Sequence, residues 1–163
     1  MSVINSILYS YYKQKGIEIA YNQPEDFFIN KALESKKGNA ISNGILYLVL
    51  CELLDIPVKA VNIPRQFLLA YVDTQHALIK PEAHKSEKIK FYIDPLNGKI
   101  YSHKDVESYF KRINVTPTTS YFREMNTKRI IQFLLEEVSK CFDDDMNRYK
   151  MNELLSLAKL LNE

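Results

Sequence analysis

Apolar positions recur at helical spacing near the start of the chain, where Val3, Ile4, Ile7, Leu8, Tyr11 and Tyr12 share one side of a helix over residues 3–15. Gly16 is placed to end it. Asn22-Gln23-Pro24 reads as a turn, and Pro24-Glu25-Asp26 starts a second helix that turns Phe27, Phe28, Ala32 and Leu33 inward until Lys36-Lys37-Gly38-Asn39 breaks it. Residues 40–54 then run almost without a polar face, from Ile41 through Ile45, Leu46, Leu48, Val49, Leu50, Cys51 and Leu53 to Leu54. A helix apolar nearly all round is buried on most sides, and Asp55-Ile56-Pro57 stops it.

The period then shortens. Segments 58–62, 67–73, 76–80 and 89–94 are short and rich in β-branched or aromatic residues, which predicts strands, with residues 81–88 a polar connection. Asn97-Gly98 between Ile93 and Ile100 is a hairpin signal. Ser102 followed by Asp105 predicts a capped helix over 103–112. Thr116-Pro117-Thr118-Thr119-Ser120 reads as a linker. Beyond it two amphipathic helices are expected near 127–142 and 146–161, separated by Asp143-Asp144-Asp145. Ile130, Ile131, Phe133, Leu134, Leu135 and Val138 form one stripe, and Leu154, Leu155, Leu157, Ala158, Leu160 and Leu161 form the other. The order predicts an α+β domain over 1–115, with a central buried helix on a small antiparallel sheet. A C-terminal helical pair over 116–163 should pack on it.

Composition narrows the function classes. A chain of 163 residues buries one sizeable core. A hydrophobic content of 46% with 26% charged residues is that of a water-soluble globular protein, and four Gly with six Pro argue against disorder. A formal charge of +2 creates no field that would favour nucleic acid or a membrane surface as partner. The first residues lack a basic start, a continuous apolar stretch and a small-residue cleavage site. Two cysteines, Cys51 and Cys141, make no disulfide framework and read as buried reduced thiols, which sets a cytoplasmic expectation. His76, His84 and His103 share no metal-ligand spacing, and no glycine-rich phosphate loop is present, so neither metal nor cofactor is expected.

Three segments carry the candidate chemistry: Lys37-Gly38-Asn39-Ala40-Ile41-Ser42 at the start of the long apolar run, Ile63-Pro64-Arg65-Gln66-Phe67-Leu68-Leu69-Ala70-Tyr71, and Phe91-Tyr92-Ile93-Asp94-Pro95-Leu96-Asn97-Gly98. With Phe28-Ile29-Asn30-Lys31-Ala32-Leu33-Glu34, Leu46-Tyr47-Leu48 and Ile56-Pro57-Val58, they resemble the transglutaminase-like superfamily in six pieces in order, covering roughly residues 25–112. The likeness is nearest to the SirB-type branch of bacterial proteins, in which such a domain precedes tetratricopeptide-like helices. It implies a papain-like core with a thiol at a helix start, a histidine on a later strand and an aspartate on the next. A thiolate is stabilised by the free N–H groups of a helix N-terminus, a histidine takes its proton, and the aspartate orients that histidine.

Here those places hold Ala40, Gln66 and Asp94. Alanine has no heteroatom, and an amide accepts no proton near neutral pH, although it donates and accepts hydrogen bonds. Ser42 lies about 200° around the helix from Ala40, and Cys51 about 16 Å along its axis. Gln66 reads either as a bridge between strand and helix or as a ligand-facing group. Asp94 reads either as the start of the Asp-Pro-Leu-Asn-Gly turn or as a remnant of the triad bonded to Gln66. No catalytic residue is expected, and the resemblance implies a pseudoenzyme. Three functions compete: a non-catalytic module that binds a protein or peptide, a hydrolase or acyl transferase with a site outside this register, and a self-assembling subunit whose exposed Leu154, Leu157 and Leu161 drive association.

Overall fold

The computed structural model describes residues 2–73 and 88–161. The expected strand at 76–80 and nearly all of the polar connection at 81–88, with His76 and His84, lie outside those residues. The described part combines helices with an antiparallel sheet, as in the α+β class.

The chain starts with α1 (Ser2–Asn5), which widens into a π-helical segment (Ser6–Tyr11) closed by the Tyr12 N–H donating to Ile7 O at 2.7 Å. Ile4 and Leu8 are buried, whereas Val3, Ile7 and Tyr11 point outward. The helix ends earlier than expected, because Lys13 takes a left-handed backbone at φ 61°. Gly16 has a different task from ending it. It sits in β1 (Lys15–Gly16), parallel to β2 (Lys37–Gly38), and a Cβ there would lie 2.5 Å from Leu96 O.

A 3₁₀ turn (Pro24–Phe27) precedes α2 (Ile29–Ser35), with Phe28 extended between them. Phe27 and Ala32 are buried as expected, but Phe28 and Leu33 are 42% and 41% exposed. The extended residue breaks the helical phase that would have put all four on one face.

The central helix α3 (Ala40–Leu53) is buried over its first half, where Ile41 through Tyr47 are all inside. Its last turn is not: Leu53 is 75% exposed, and Val49 and Leu54 also face outward. Asp55, left-handed at φ 53°, then turns the chain back.

The sheet runs β3 (Val58–Ile63), β4 (Gln66–Val72), β5 (Ile89–Ile93) and β6 (Ile100–Tyr101), every neighbour antiparallel. Ile63 pairs with Gln66 across a two-residue turn in which Arg65 has φ 62°, so Pro64-Arg65 separates the strands expected at 58–62 and 67–73. The β5–β6 hairpin forms with Asp94 N donating to Lys99 O at 2.8 Å, which encloses a four-residue loop, and Gly98 adopts φ 74°.

Successive residues of a strand face opposite sides, and here they feed two cores. Val58, Ala60, Phe67, Leu69 and Ile93 join α3 in one cluster. Val61, Ile63, Leu68, Ala70, Ile89 and Tyr92 join Val106 and Phe110 of α4 (His103–Arg112) in the other. The expected cap of α4 is complete: Ser102 N donates to Asp105 Oδ2 at 2.7 Å and Asp105 N to Ser102 Oγ at 3.3 Å.

A second 3₁₀ turn (Thr119–Phe122) occupies part of the expected linker and sets Tyr121 and Phe122 against Phe110. Met125 donates its N–H to Ala60 O at 2.9 Å, an isolated bridge on the outer side of β3. Helix α5 (Thr127–Ser139) follows, with a short 3₁₀ segment (Lys140–Phe142) and then α6 (Arg148–Leu160). Phe133 of α5 stacks on Phe67 with ring centres 5.6 Å apart and planes 9° apart. In the α6 stripe Ala158 is buried, Leu154 packs half-buried on the first cluster, and Leu157 and Leu160 remain exposed.

Candidate functional site

The start of α3 is built from buried polar groups. Asn39 Oδ1 accepts from Ile41 N at 2.9 Å and Ser42 N at 3.0 Å, which satisfies two of the free donors of the helix N-terminus. Ser42 Oγ donates to Asp26 O at 2.8 Å. Asn43 Oδ1 accepts from Gln14 Nε2 at 2.9 Å. Gly38 permits this crowding, since a Cβ there would lie 2.3 Å from Asn43 Oδ1.

Ala40, the first residue of α3, is partly buried against the α3-side cluster and presents only a methyl group. The buried hydroxyl of Ser42 is spent on a backbone carbonyl. Cys51 is 0% exposed, and burial pushes its thiol from 9.0 up to about 11, the opposite of what a nucleophile needs. The Cys141 thiol is half-buried, and burial, with Glu137 and Asp26 nearby, raises it as well.

Gln66 opens β4, exposed, at the mouth of a cavity of about 550 Å³ lined by Ile41, Phe67, Phe133, Tyr21 and Glu137, so it adjoins the start of α3. By strand alternation its side chain belongs with Leu68 to the α4 face of the sheet, and it lines a second cavity there, of about 400 Å³. Asp94, one residue past Ile93 of the α3 cluster, alternates with it and turns with Tyr92 to that same α4 face. Its Oδ1 accepts from Leu96 N at 2.9 Å and its Oδ2 from the Tyr101 hydroxyl at 3.3 Å. By alternation Gln66 and Asp94 share the α4 side of the sheet, and Gln66, at the strand end, also borders the groove beside the α3 start. The carboxylate is engaged by its own turn and by Tyr101.

The groove beside α3 contains groups that sequence spacing does not reveal. Tyr21 donates its hydroxyl to Glu137 Oε2 at 2.7 Å across a separation of 116 residues, and Lys140 Nζ meets Glu137 Oε1 at 2.5 Å. Burial first, and the Glu137 hydrogen bond second, push the Tyr21 phenol up to about 12. No local pattern pairs these residues, because the contact exists only once α5 lies over the sheet. Among the described residues no three His, Cys, Asp or Glu side chains gather as a metal site would require. His103 places Nε2 2.6 Å from Ile89 O. Among the described residues no helix is long and apolar enough to cross a membrane.

A helix whose capped N-terminus abuts an antiparallel sheet, beside a groove at a strand start, defines a class of α+β proteins built around that junction. The chain belongs to the transglutaminase-like superfamily, whose family model matches residues 1–136. It is 24% identical over 159 residues to the UPF0162 protein BU173 of Buchnera aphidicola subsp. Acyrthosiphon pisum, covering 95% of this chain and 53% of that protein. It is 27% identical over 103 residues to a UPF0162 protein of Vibrio cholerae, covering 63% of this chain and 34% of the relative. A 71-residue stretch is 32% identical to mouse F-box only protein 21, covering 44% of this chain and 11% of that protein. The chain thus spans about half the length, or less, of the curated relatives it matches. No solved structure matches it significantly.

Proposed function

We propose that this chain is a non-catalytic transglutaminase-like module of the SirB-type branch, acting in the cytoplasm as a binding or scaffold unit for a protein or peptide. The observation that carries the reading is Ala40 as the first residue after the Asn39 cap, a methyl group where the resemblance implies a thiol. Gln66 in place of a base, the buried Cys51 with its raised thiol and the hydroxyl of Ser42 tied to Asp26 O leave, among the described residues, no activated nucleophile beside the helix start. The groove offers apolar walls from Ile41, Phe67 and Phe133 with an amide at its mouth, a surface suited to an extended chain. In this reading residues 1–115 form the transglutaminase-like domain. Residues 116–163 form a tetratricopeptide-like pair packed on it, with no role for a metal, a cofactor or nucleic acid.

The test is amine incorporation into, and hydrolysis of, glutamine-containing peptides by the purified chain, alongside alkylation of an Ala40→Cys variant. The expected result is no turnover, a Cys51 thiol that resists iodoacetamide at pH 8, and an introduced thiol at position 40 that reacts faster because the helix N-terminus favours its thiolate. Turnover that disappears in Cys51→Ser or Cys141→Ser would restore the enzyme reading. An unreactive thiol at position 40 would show that the register is misplaced.

A further inference from the structure

The cavity on the α4 face, about 400 Å³, adjoins the groove beside α3 and shares Ile63 and Gln66 with it. Its floor is apolar, formed by Ile63, Leu68 and Val106. Its rim carries two exposed cations, each laid over a tyrosine: Lys99 Nζ is 5.2 Å from the Tyr101 ring centre and the Arg112 guanidinium carbon 5.4 Å from that of Tyr109. Among the described residues neither cation makes an ion pair.

Asp105 lines the same cavity, so two cations and one carboxylate leave its lining net positive. Asp105 Oδ2 accepts from Ser102 N and Ser102 Oγ, both at 2.7 Å, and these bonds, more than nearby Lys99, hold its carboxyl below the usual range. Asp94 accepts from Leu96 N and the Tyr101 hydroxyl. The two cations lie on one patch, since both Lys99 and Arg112 stand close to Tyr101. Tyr109, which donates its hydroxyl to Pro64 O at 2.7 Å, ties that patch to the β3–β4 turn beside Gln66.

We infer that this cavity is the docking site of an acidic peptide segment, whose carboxylate sits between Lys99 and Arg112 while an apolar neighbour fills the Ile63–Leu68–Val106 floor. Charge complementarity selects the occupant. A guanidinium and an ammonium beside one another attract a carboxylate, and charge-assisted bonds to it are stronger than neutral ones. Gln66 at the edge supplies an amide for the peptide main chain. The inference deepens the binding-module reading and rests on it.

The experiment is fluorescence anisotropy with the whole chain and three labelled peptides: glutamates interspersed with leucine and phenylalanine, a glutamine twin, and a lysine twin. The acidic peptide is expected to bind tightest and to weaken with added salt. Lys99→Ala with Arg112→Ala should lower its affinity about tenfold or more. Lys99→Glu with Arg112→Glu should transfer the preference to the lysine twin, with thermal melts confirming that both variants fold. Equal binding of the acidic and glutamine peptides, or affinity unchanged in both double variants, would overturn the assignment while leaving the binding-module reading intact. An oligonucleotide that competes as well as the acidic peptide would overturn it in favour of a phosphate surface. Turnover of any peptide would instead sink the non-catalytic reading.

Discussion

Helices α3 and α4 lie on opposite faces of one sheet and both start at a polar cap, yet they are held differently. Under α3 the fit is close: a Cβ on Gly44 would stand 2.6 Å from Phe67 Cε1, and Phe67 is backed by the stacked ring of Phe133. Under α4, cavities of about 330 and 400 Å³ remain, and Val106 lines both. The α3 face is specified by shape, and the α4 face by polar and aromatic groups at its rim. The α3 side is closed beneath Gly44 and opens only at its edge, into the groove of about 550 Å³ walled by Ile41, Phe67 and Phe133, while on the α4 side two cavities border Val106 of the helix.

Adding volume to each face gives the largest expected contrast. Gly44→Ala removes a helix glycine, a gain of up to about 1 kcal/mol, but drives a methyl group into the Phe67 ring, which Phe133 backs, so a net loss of about 1–3 kcal/mol is expected in urea unfolding. Val106→Ile adds the same volume beside open cavities and should cost under about 1 kcal/mol. Equal losses would mean that α4 is as tightly fitted as α3.

The caps give the next contrast. Asn39 is fully buried and accepts two backbone N–H bonds, so Asn39→Ala should cost about 1–2 kcal/mol. Ser102→Ala at the exposed start of α4 should cost about 0.5–1 kcal/mol. A larger loss at Ser102 would reverse the ranking of the two helices.

The smallest effect is on the alkaline side. Burial raises the Cys51 thiol from 9.0 to about 11, so the stability it lends is whole below pH 9 and is lost as the pH rises through 11. The urea midpoint should therefore fall between pH 8 and 10.5, and fall less in Cys51→Ala. An equal fall in that variant would assign the loss to other groups, Tyr21 among them.

The elements that local pattern revealed are those whose causes are local. The α4 cap follows from Ser102 and Asp105 three positions apart, and the start of α3 from Asn39 ahead of a long apolar run. The end of the first helix was misplaced because glycine has two uses. Gly16 serves close approach to Leu96, while Lys13 accepts the strained backbone that stops the helix. Phe28 and Leu33 look like core residues by type, but one extended residue turns their face outward. In the candidate site the identities at positions 40, 66 and 94 were legible. The partners of Glu137 were not, since Tyr21 is 116 residues away.

The family, the alternation of helix and strand, and the chemistry absent from Ala40 and Gln66 are legible without coordinates, because they depend on side-chain type and short-range periodicity. Packing was needed to set Gln66 at the strand end between two cavities, to bring Glu137 and Tyr21 together in the groove, and to put Lys99 and Arg112 at the border of one cavity. Strand register sets which side of a sheet each residue faces, and helix docking sets how much space remains beneath it. Both are settled by packing across the whole chain rather than by any stretch of it.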